Sequence, residues 1–288
     1  MKKISAIILA ALLVIGCVAC GEAQPAGEQG EEAAQTIIIG VPNDPTNEAR
    51  ALALLEAQGI ITLKKNDAGV LATVLDIESN PYNAEFKEIE AAQLPNVLPD
   101  LTYAVINSNY AIEAGLTPFV TEGTDVSFPN IIAVKEGNEE SAEIKALVAA
   151  VNSEKVKAYI EETFKGAIVC DLNEVGDGFD ATVDYAALDG ATIKIASSPT
   201  PHAGILKIAK EILAEKNITL DIVEFNDYVQ PNNVVESGEF SANYFQHVTY
   251  LENFNAENNT HIVSVLEVHH EPMGVYSPNG ADFSALSK

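Results

Sequence analysis

Hydrophobic positions in this chain recur in units where a short apolar run leads into a helix-type pattern. One unit opens with "TIIIGV" at residues 36–41, followed by Asp44 and Pro45 and then apolar residues at helical spacing. A related unit opens with "ATIKIA" at residues 191–196 and continues from Pro201. Asp is a good N-cap and Pro suits the first helical position. Both units therefore predict a strand, a turn and a helix.

Strand-like and helix-like patterns alternate through the rest of the chain. Further strands are predicted in "FKEI", "LTYAVI", "NIIAVK", "LDIVEF", "SANYF", "HIVSVLEVHH" and "PMGVYS". Helices are predicted in "GVLATVLDIES", "LPNVL", "NYAIEAGL", "SAEIKALVAAVNSEKVKAYIEETF" (two helices), "PNNVVESG" and "VTYLENFN". Such alternation indicates an α/β protein with mostly parallel sheets and helices on both faces.

Two such units predict a bilobed protein with a cleft, with lobe A at residues 36–127 and lobe B at residues 128–288. Ligands of parallel sheets bind beyond the carboxyl ends of the strands. Both proline-containing turns follow strand ends, one in each lobe. We therefore expect both turns to border a shared ligand cleft.

The N-terminal residues have the pattern of a targeting segment. Lys2 and Lys3 precede an apolar stretch at 4–15 that is too short to span a membrane. We interpret residues 1–20 as a lipoprotein signal peptide and residues 21–35 as a flexible tether, since that segment is rich in Gly, Glu, Gln and Ala.

A cysteine closes this apolar stretch, which is typical of a bacterial lipid anchor. Gly21 and a polar segment follow Cys20, so Cys20 is the predicted acylation site, with Cys17 as the alternative. An ordinary cleaved secretory signal is the competing interpretation. Acylation would place the protein outside the cytoplasm, held to the cell membrane through the lipid.

The net charge of the chain limits the classes of molecule that it can bind. The formal net charge is −26, with 16 basic and 42 acidic residues. A nucleic-acid-binding face requires clustered Lys and Arg, so we expect no nucleic-acid partner.

Several long motifs resemble one family. They are "PNDPTNEARALALL", "AGVLATVLDI", "IEAAQLP", "AVINSNYAIEAGL", "TPHAGIL", "IVEFNDYVQPN", "ANYFQHVTYLENFN" and "HHEPMGVYS". The chain resembles the methionine-binding lipoproteins of the NlpA family, the substrate-binding components of ABC importers. The resemblance implies a type II periplasmic-binding-protein-like fold, capture of methionine or a related amino acid, and an importer permease as partner. It implies neither an enzyme nor a cofactor.

The order of these motifs differs from the family's usual order. The family opens with the segment that here runs from "TIKIASSPTPHA" to "EPMGVYS", whereas in this chain that segment comes last. We interpret this as a circular permutation in which residues 171–190 join the usual chain ends. One covalent crossing near 127–130 would then connect the lobes through a looser hinge, unless the C-terminal tail docks back on lobe A, which would place Leu286 near the strand that starts at Thr36.

An amino acid ligand needs a partner for its carboxylate. Arg50 lies in the early turns of the helix that begins after Asp44, where the positive helix end favours an anion. Its guanidinium can grip a carboxylate through two hydrogen bonds. A surface salt bridge is the alternative, and the resemblance favours a ligand role.

Asn and aromatic side chains complete the candidate site. Amides can both donate and accept, which suits a zwitterion, and sulfur packs favourably against aromatic rings. The resemblance implies ligand contacts at Asn107, Asn109, Tyr228, Phe245 and His247. Amide chemistry adds Asn47 and the aromatic wall adds Tyr250 as candidate contacts. For Asn47, turn and cap chemistry is an equally good interpretation.

Two other functions remain open. A metal-binding import lipoprotein would use His202, His247 and His269, although no metal site is the main expectation. His269 and His270 are neighbours on a strand and face opposite ways, so they cannot share an ion. An enzyme on the same fold would need an acid–base pair or a nucleophile, and neither occurs in a recognisable motif. The sequence does not distinguish L-methionine from D-methionine, a dipeptide or another apolar amino acid.

Overall fold

Two large β-sheets with helices packed on their faces, and one small two-stranded sheet, form the part of the chain that the structure describes. The structure is a computed structural model, and it describes residues 36–65, 70–123 and 128–286. The predicted signal peptide, tether and lipid-anchor cysteines lie outside these residues. Among the described helices, none is both long and apolar enough to cross a membrane.

The strands are β1 (Ile38–Pro42), β2 (Thr62–Leu63), β3 (Ile77–Ser79), β4 (Glu85–Ile89), β5 (Tyr103–Ile106), β6 (Val120–Thr121), β7 (Pro129–Lys135), β8 (Val169–Cys170), β9 (Thr192–Ser197), β10 (Thr219–Glu224), β11 (Ala242–His247), β12 (Ile262–His270) and β13 (Gly274–Tyr276). The α-helices are α1 (Pro45–Ala57), α2 (Leu94–Val97), α3 (Ser108–Glu113), α4 (Ala142–Val151), α5 (Glu154–Phe164), α6 (Gly204–Ala214), α7 (Gln230–Glu236) and α8 (Val248–Asn258). Short 3₁₀ turns lie at Val74–Asp76, Ala91–Gln93, Leu98–Asp100 and Phe283–Ala285, and a π turn at Pro199–Ala203.

The first sheet has the strand order β4-β1-β5-β13-β6. Strand β1 runs parallel to β4 and β5, and β13 runs antiparallel to β5 and β6. Successive residues of β5 enter different cores, because side chains of a strand alternate between faces. Tyr103 and Val105 pack on the face covered by α1, whereas Ala104 and Ile106 pack on the face that carries α2 and α3.

The second sheet has the order β10-β9-β11-β7-β12-β8. Strands β10, β9 and β11 are parallel, and β7, β12 and β8 continue the sheet with antiparallel pairing. Ile132 and Val134 of β7 face the core formed with α4, α5 and α6, while Ile131 and Ala133 face the side of α7 and α8. The predicted α/β class with two mixed sheets is confirmed, although antiparallel pairs contribute more than expected.

Local chemistry explains where the site-bearing helices begin. The side chain of Asp44 accepts a hydrogen bond from the backbone N–H of Asn47, and Pro45 occupies the first turn of α1. This is the predicted N-cap. Helix α6 begins later than predicted, because a π turn at Pro199–Ala203 precedes it.

The predicted helix at residues 69–79 is wrong. The described part of that segment forms a 3₁₀ turn at Val74–Asp76 and then strand β3, which pairs with β2. Glu48 of α1 accepts a hydrogen bond from the backbone N–H of Val74 at 2.8 Å. This tertiary contact and the pairing of β3 outweigh the helical spacing of apolar residues.

The chain passes between the two sheets twice, from β6 to β7 and again from β12 to β13. The prediction of a single crossing is therefore wrong. Strand β13 pairs with β5 in the first sheet, so this strand departs from the predicted assignment of 128–288 to lobe B.

The C-terminal tail docks on the first sheet, as predicted. Leu286 and Phe283 pack against the core that contains Ile37 and Ile39. The Tyr103 hydroxyl donates to the backbone carbonyl of Asp282 at 2.9 Å. The tail therefore fixes the end of the chain beside β1 and β5.

Residues 171–190 pack against the second sheet's helices instead of looping freely. Leu172, Val183 and Leu188 are buried in the core shared with α4, α5 and α6. Ser153 forms an isolated parallel bridge with Gly176.

Candidate functional site

A pocket lies between the ends of the two sheets. It has about 370 Å³ of empty space, part of it open to solvent. Its lining residues are Asn47, Arg50, Asn107, Ser108, Asn109, Asn130, Tyr228, Phe245, Gln246, His247, Tyr250 and Glu271. All eight residues predicted as ligand contacts are among them.

Arg50, the one arginine of the sequence, projects from α1 into this pocket. Its Nε donates to Oε1 of Glu122 at 2.7 Å and its Nη2 to Oε2 at 2.6 Å. Nη2 also donates to the carbonyl of Glu271 at 2.8 Å. The side chains of Arg50 and Glu122 are 8% and 4% exposed, so this pair is buried. The hydrogen bonds of the described residues leave Nη1 of Arg50 unused.

Asn47 and Asn107 form a hydrogen-bonded pair across two helix starts. Asn47 Nδ2 donates to the carboxylate of Asp44, and its Oδ1 accepts from Nδ2 of Asn107 at 2.8 Å. Asn107 is 7% exposed, and its Oδ1 is a buried acceptor with no hydrogen bond among the described residues. Such an acceptor is costly unless a partner reaches it.

Asn109 connects the polar side of the pocket to its aromatic side. Its Oδ1 accepts a hydrogen bond of 2.7 Å from the Tyr228 hydroxyl. Because the oxygen is engaged, the amide nitrogen of Asn109 is left as a donor toward the pocket. Burial raises the pKa of Tyr228 well above its usual value, so the hydroxyl stays protonated and donates.

His247 ends β11 and caps α8. Its Nδ1 accepts the backbone N–H of Tyr250 at 3.2 Å and lies 2.9 Å from the Thr249 hydroxyl. Burial, with the positive charge of Arg50 as a smaller cause, lowers the pKa of His247 to about 3. The ring is therefore neutral at physiological pH. With Nδ1 accepting, the proton lies on Nε2, which can donate toward the pocket.

Aromatic rings form the opposite wall of the pocket. The ring centroid of Tyr228 lies 5.8 Å from that of Phe245 and 5.9 Å from that of Tyr250. Tyr250 donates its hydroxyl to the carbonyl of Tyr228 at 3.0 Å. Phe128 stacks 5.1 Å from His247 and lies under the guanidinium of Arg50 at 4.4 Å.

Four residues that line the pocket were not predicted from the sequence: Ser108, Asn130, Gln246 and Glu271. Asn130 and Glu271 lie at the two connections between the sheets. The sequence signals followed were strand-to-helix turns, and neither residue belongs to one. Their positions at the ends of β7 and β12, where the chain crosses, were the available clue.

Glu271 also belongs to a buried cluster beneath the pocket. His269 Nε2 lies 2.9 Å from Oε1 of Glu271, and His202 Nε2 lies 3.6 Å from the same oxygen. Burial raises the pKa of Glu271 to about 6 and lowers the pKa of each histidine to about 3. His247 is not part of this cluster. The set His202, His247 and His269 of the alternative function is therefore not brought together.

The sequence model of the NlpA lipoprotein family matches residues 31–171 and 193–288. The chain belongs to the NlpA lipoprotein family. The match leaves out the segment between its two parts, which overlaps the connection at 171–190.

Curated relatives of this family member include D-methionine-binding lipoproteins. The chain is 45% identical over 135 residues to Outer membrane lipoprotein 3 of Mannheimia haemolytica, covering 46% of this chain and 51% of the relative. It is 40% identical over 137 residues to the D-methionine-binding lipoprotein MetQ of Escherichia coli K12, covering 46% and 50%. The chain thus spans about half the length of the curated relatives it matches.

Solved structures show the same partial coverage. A nutrient binding protein of Burkholderia cenocepacia bound to methionine is 45% identical, covering 46% of this chain and 57% of that chain, with a TM-score of 0.44. A lipoprotein of Ruminococcus gnavus is 51% identical, covering 47% and 58%, with a TM-score of 0.43.

Proposed function

We propose that this protein captures methionine or a closely related amino acid outside the cytoplasm and delivers it to an ABC importer. One observation carries the proposal: the pocket is lined by donors and a buried acceptor that have no hydrogen-bond partner among the described residues, together with the aromatic rings of Tyr228, Phe245 and Tyr250. A zwitterion with an apolar side chain complements that arrangement.

The ligand carboxylate is assigned to the donor side. Nη1 of Arg50, the amide nitrogen of Asn109 and Nε2 of His247 are the donors left after the internal hydrogen bonds are formed. Hydrogen bonds to a charged partner are roughly twice as strong as neutral ones. A carboxylate is the group that these donors fit best.

The ligand ammonium is assigned to Oδ1 of Asn107. This oxygen is buried and has no partner among the described residues, so an N–H donor would relieve its desolvation cost. Asn47 positions Asn107, since its own amide groups are engaged by Asp44 and Asn107. We therefore assign Asn47 a positioning role in place of direct contact.

The ligand side chain is assigned to the wall formed by Tyr228, Phe245 and Tyr250. A thioether sulfur about 5 Å from an aromatic ring gains roughly 0.3–1.5 kcal/mol. The names of the D-methionine-binding relatives in the family support this choice of ligand. They support a binding protein over an enzyme as well.

Membrane attachment and chain order belong to the same proposal. Acylation of Cys20 would hold the protein at the membrane near its permease, and closure of lobes A and B around the ligand would signal the loaded state.

The two-part family match on either side of residues 172–192, together with matches to only half of each relative, supports the circular permutation.

Native mass spectrometry of the purified protein tests the function, followed by calorimetry on protein freed of ligand. We expect a retained mass equal to that of methionine and saturable binding of methionine with weaker binding of alanine. L- and D-methionine are titrated separately to assign the stereoisomer. Absence of binding by both isomers, with the protein folded by circular dichroism, would reject the proposal.

A further inference from the structure

Three side chains that commonly bind metal ions converge in the buried cluster beneath the pocket, and only one of them, Glu271, lines the pocket itself. His202, His269 and Glu271 each present one ligand atom, and these atoms all lie within 4.8 Å of one another. The three residues are 1%, 0% and 6% exposed.

The separations between the atoms suit a small cation. Around a tetrahedral Zn²⁺ with bonds of about 2.0–2.1 Å, neighbouring ligand atoms lie roughly 3.4 Å apart. His269 Nε2 and His202 Nε2 lie 2.9 and 3.6 Å from Oε1 of Glu271, which brackets that value.

A fourth candidate ligand atom, an amide oxygen, lies beside His202. Oδ1 of Asn130 is 2.9 Å from Nε2 of His202, and Asn130 lines the pocket with Glu271. The donor set is therefore two imidazole nitrogens, one carboxylate oxygen and one amide oxygen. Two histidines and one carboxylate are a set used by zinc sites with an open position.

The surroundings of His269 fit the role of a metal ligand. Its other ring nitrogen, Nδ1, is hydrogen-bonded to the hydroxyl of Tyr244, and a metal-bound histidine usually has such a partner on its second nitrogen.

We propose that His202, His269 and Glu271, with Asn130, form a resident Zn²⁺ site beneath the pocket. The ion is bound as a part of the protein and is not a transported substrate. The site shares Glu271 and Asn130 with the pocket wall, so an ion there would fix both connections between the sheets at the residues where β7 begins and β12 ends. The proposal does not depend on which amino acid the pocket takes.

Zinc and cobalt titrations of the untagged full chain test the site, after removal of metal with EDTA and without added amino acid. We expect one tight Zn²⁺ by calorimetry and the intense visible absorption of four-coordinate Co²⁺. His202→Gln and His269→Gln should each weaken Zn²⁺ binding at least tenfold and reduce the Co²⁺ band. Tyr244→Phe should weaken binding by about tenfold, as loss of a partner to a ligand does.

His270→Gln is the matched control. His270 is the next residue along β12, and its Nδ1 pairs with Asp171 at 2.9 Å, outside the cluster. This variant should bind Zn²⁺ as the unmodified protein does. A folded unmodified protein without a tight Zn²⁺, or equal binding by the His202, His269 and His270 variants, would overturn the site. Because methionine binding is measured separately on zinc-free protein, failure of either proposal is recognised without the other.

Discussion

The two walls of the pocket are built by different physical means. On the wall carried by α1 and α3, each polar group is held by hydrogen bonds, as Arg50 is by Glu122 and Asn47 by Asp44. On the wall formed by Tyr228, Phe245 and Tyr250, rings pack at centroid distances near 6 Å, while His247 at the end of β11 adds one donor to the polar side. Directional bonds fix single atoms, whereas ring packing fixes a surface. The first wall should therefore decide whether an amino acid binds, and the second should decide which one.

Arg50→Gln should cause the largest loss of affinity. Removing a charged hydrogen bond costs roughly 1.5–3 kcal/mol, which is more than tenfold in the dissociation constant. The loss should be equal for methionine and alanine, because both present the same carboxylate. Calorimetry with each amino acid measures it.

Two variants isolate this effect. Lys155→Ala removes a cation that pairs with Glu215 on the exposed surface, and its affinity should be unchanged. Arg50→Gln also leaves Glu122 buried without its partner, which lowers stability. The double variant with Glu122→Gln relieves that cost, so an affinity that recovers in the double variant would remove Arg50 from the carboxylate site.

His247 should make stability dependent on pH. Its pKa is about 3 in the folded protein and 6.5 when unperturbed, so only the unfolded chain takes up a proton between these values. The stabilisation is complete above pH 6.5 and is lost as the pH falls toward 3. At about 1.4 kcal/mol per pH unit, roughly 2 kcal/mol is lost between pH 6.5 and pH 5.

Urea unfolding at pH 7 and pH 5 measures this loss. His247→Gln should show a smaller difference between the two pH values than the unmodified protein. Glu271 opposes the trend, because its raised pKa of about 6 favours the folded state at low pH. His261→Gln replaces an exposed histidine and should leave the difference intact. An identical pH dependence in the His247 variant would contradict the neutral, buried ring.

Phe245→Leu should change selectivity more than overall binding. The shorter aliphatic side chain removes one face of the ring wall, so methionine should lose about 0.3–1.5 kcal/mol, or roughly two- to tenfold. Alanine does not reach this wall and should lose little. The ratio of the two affinities is the measurement, and Phe225→Leu, in the core beside α7 and α8, is the control. Equal losses for both amino acids would place Phe245 in the core instead of the site.

The residues of the pocket walls could be predicted from the sequence better than the two chain connections between the sheets. Strands and helix starts follow local patterns, whereas most of the eight predicted contacts were implied by the resemblance to the family, and the structure brings those eight around one pocket. The return of β13 to the first sheet and the roles of Asn130 and Glu271 depend on pairing between distant residues. Local periodicity carries no record of such pairing, and it also failed where β3 pairs with β2.

The smallest effect on binding is expected at the docked tail. Leu286 is partly buried against the core of the first sheet beside Ile37, so Leu286→Ala should lower the free energy of unfolding by about 1 kcal/mol. The same core contains Tyr103 of β5, the strand that ends just before Asn107. The polar wall is therefore supported by the tail, but none of the tail residues that the structure describes, up to Leu286, lines the pocket. Methionine affinity should stay within twofold while the thermal midpoint falls. A matching loss in affinity would mean that the tail positions Asn107, and an unchanged midpoint would mean that the docked tail adds nothing to the stability of the first sheet.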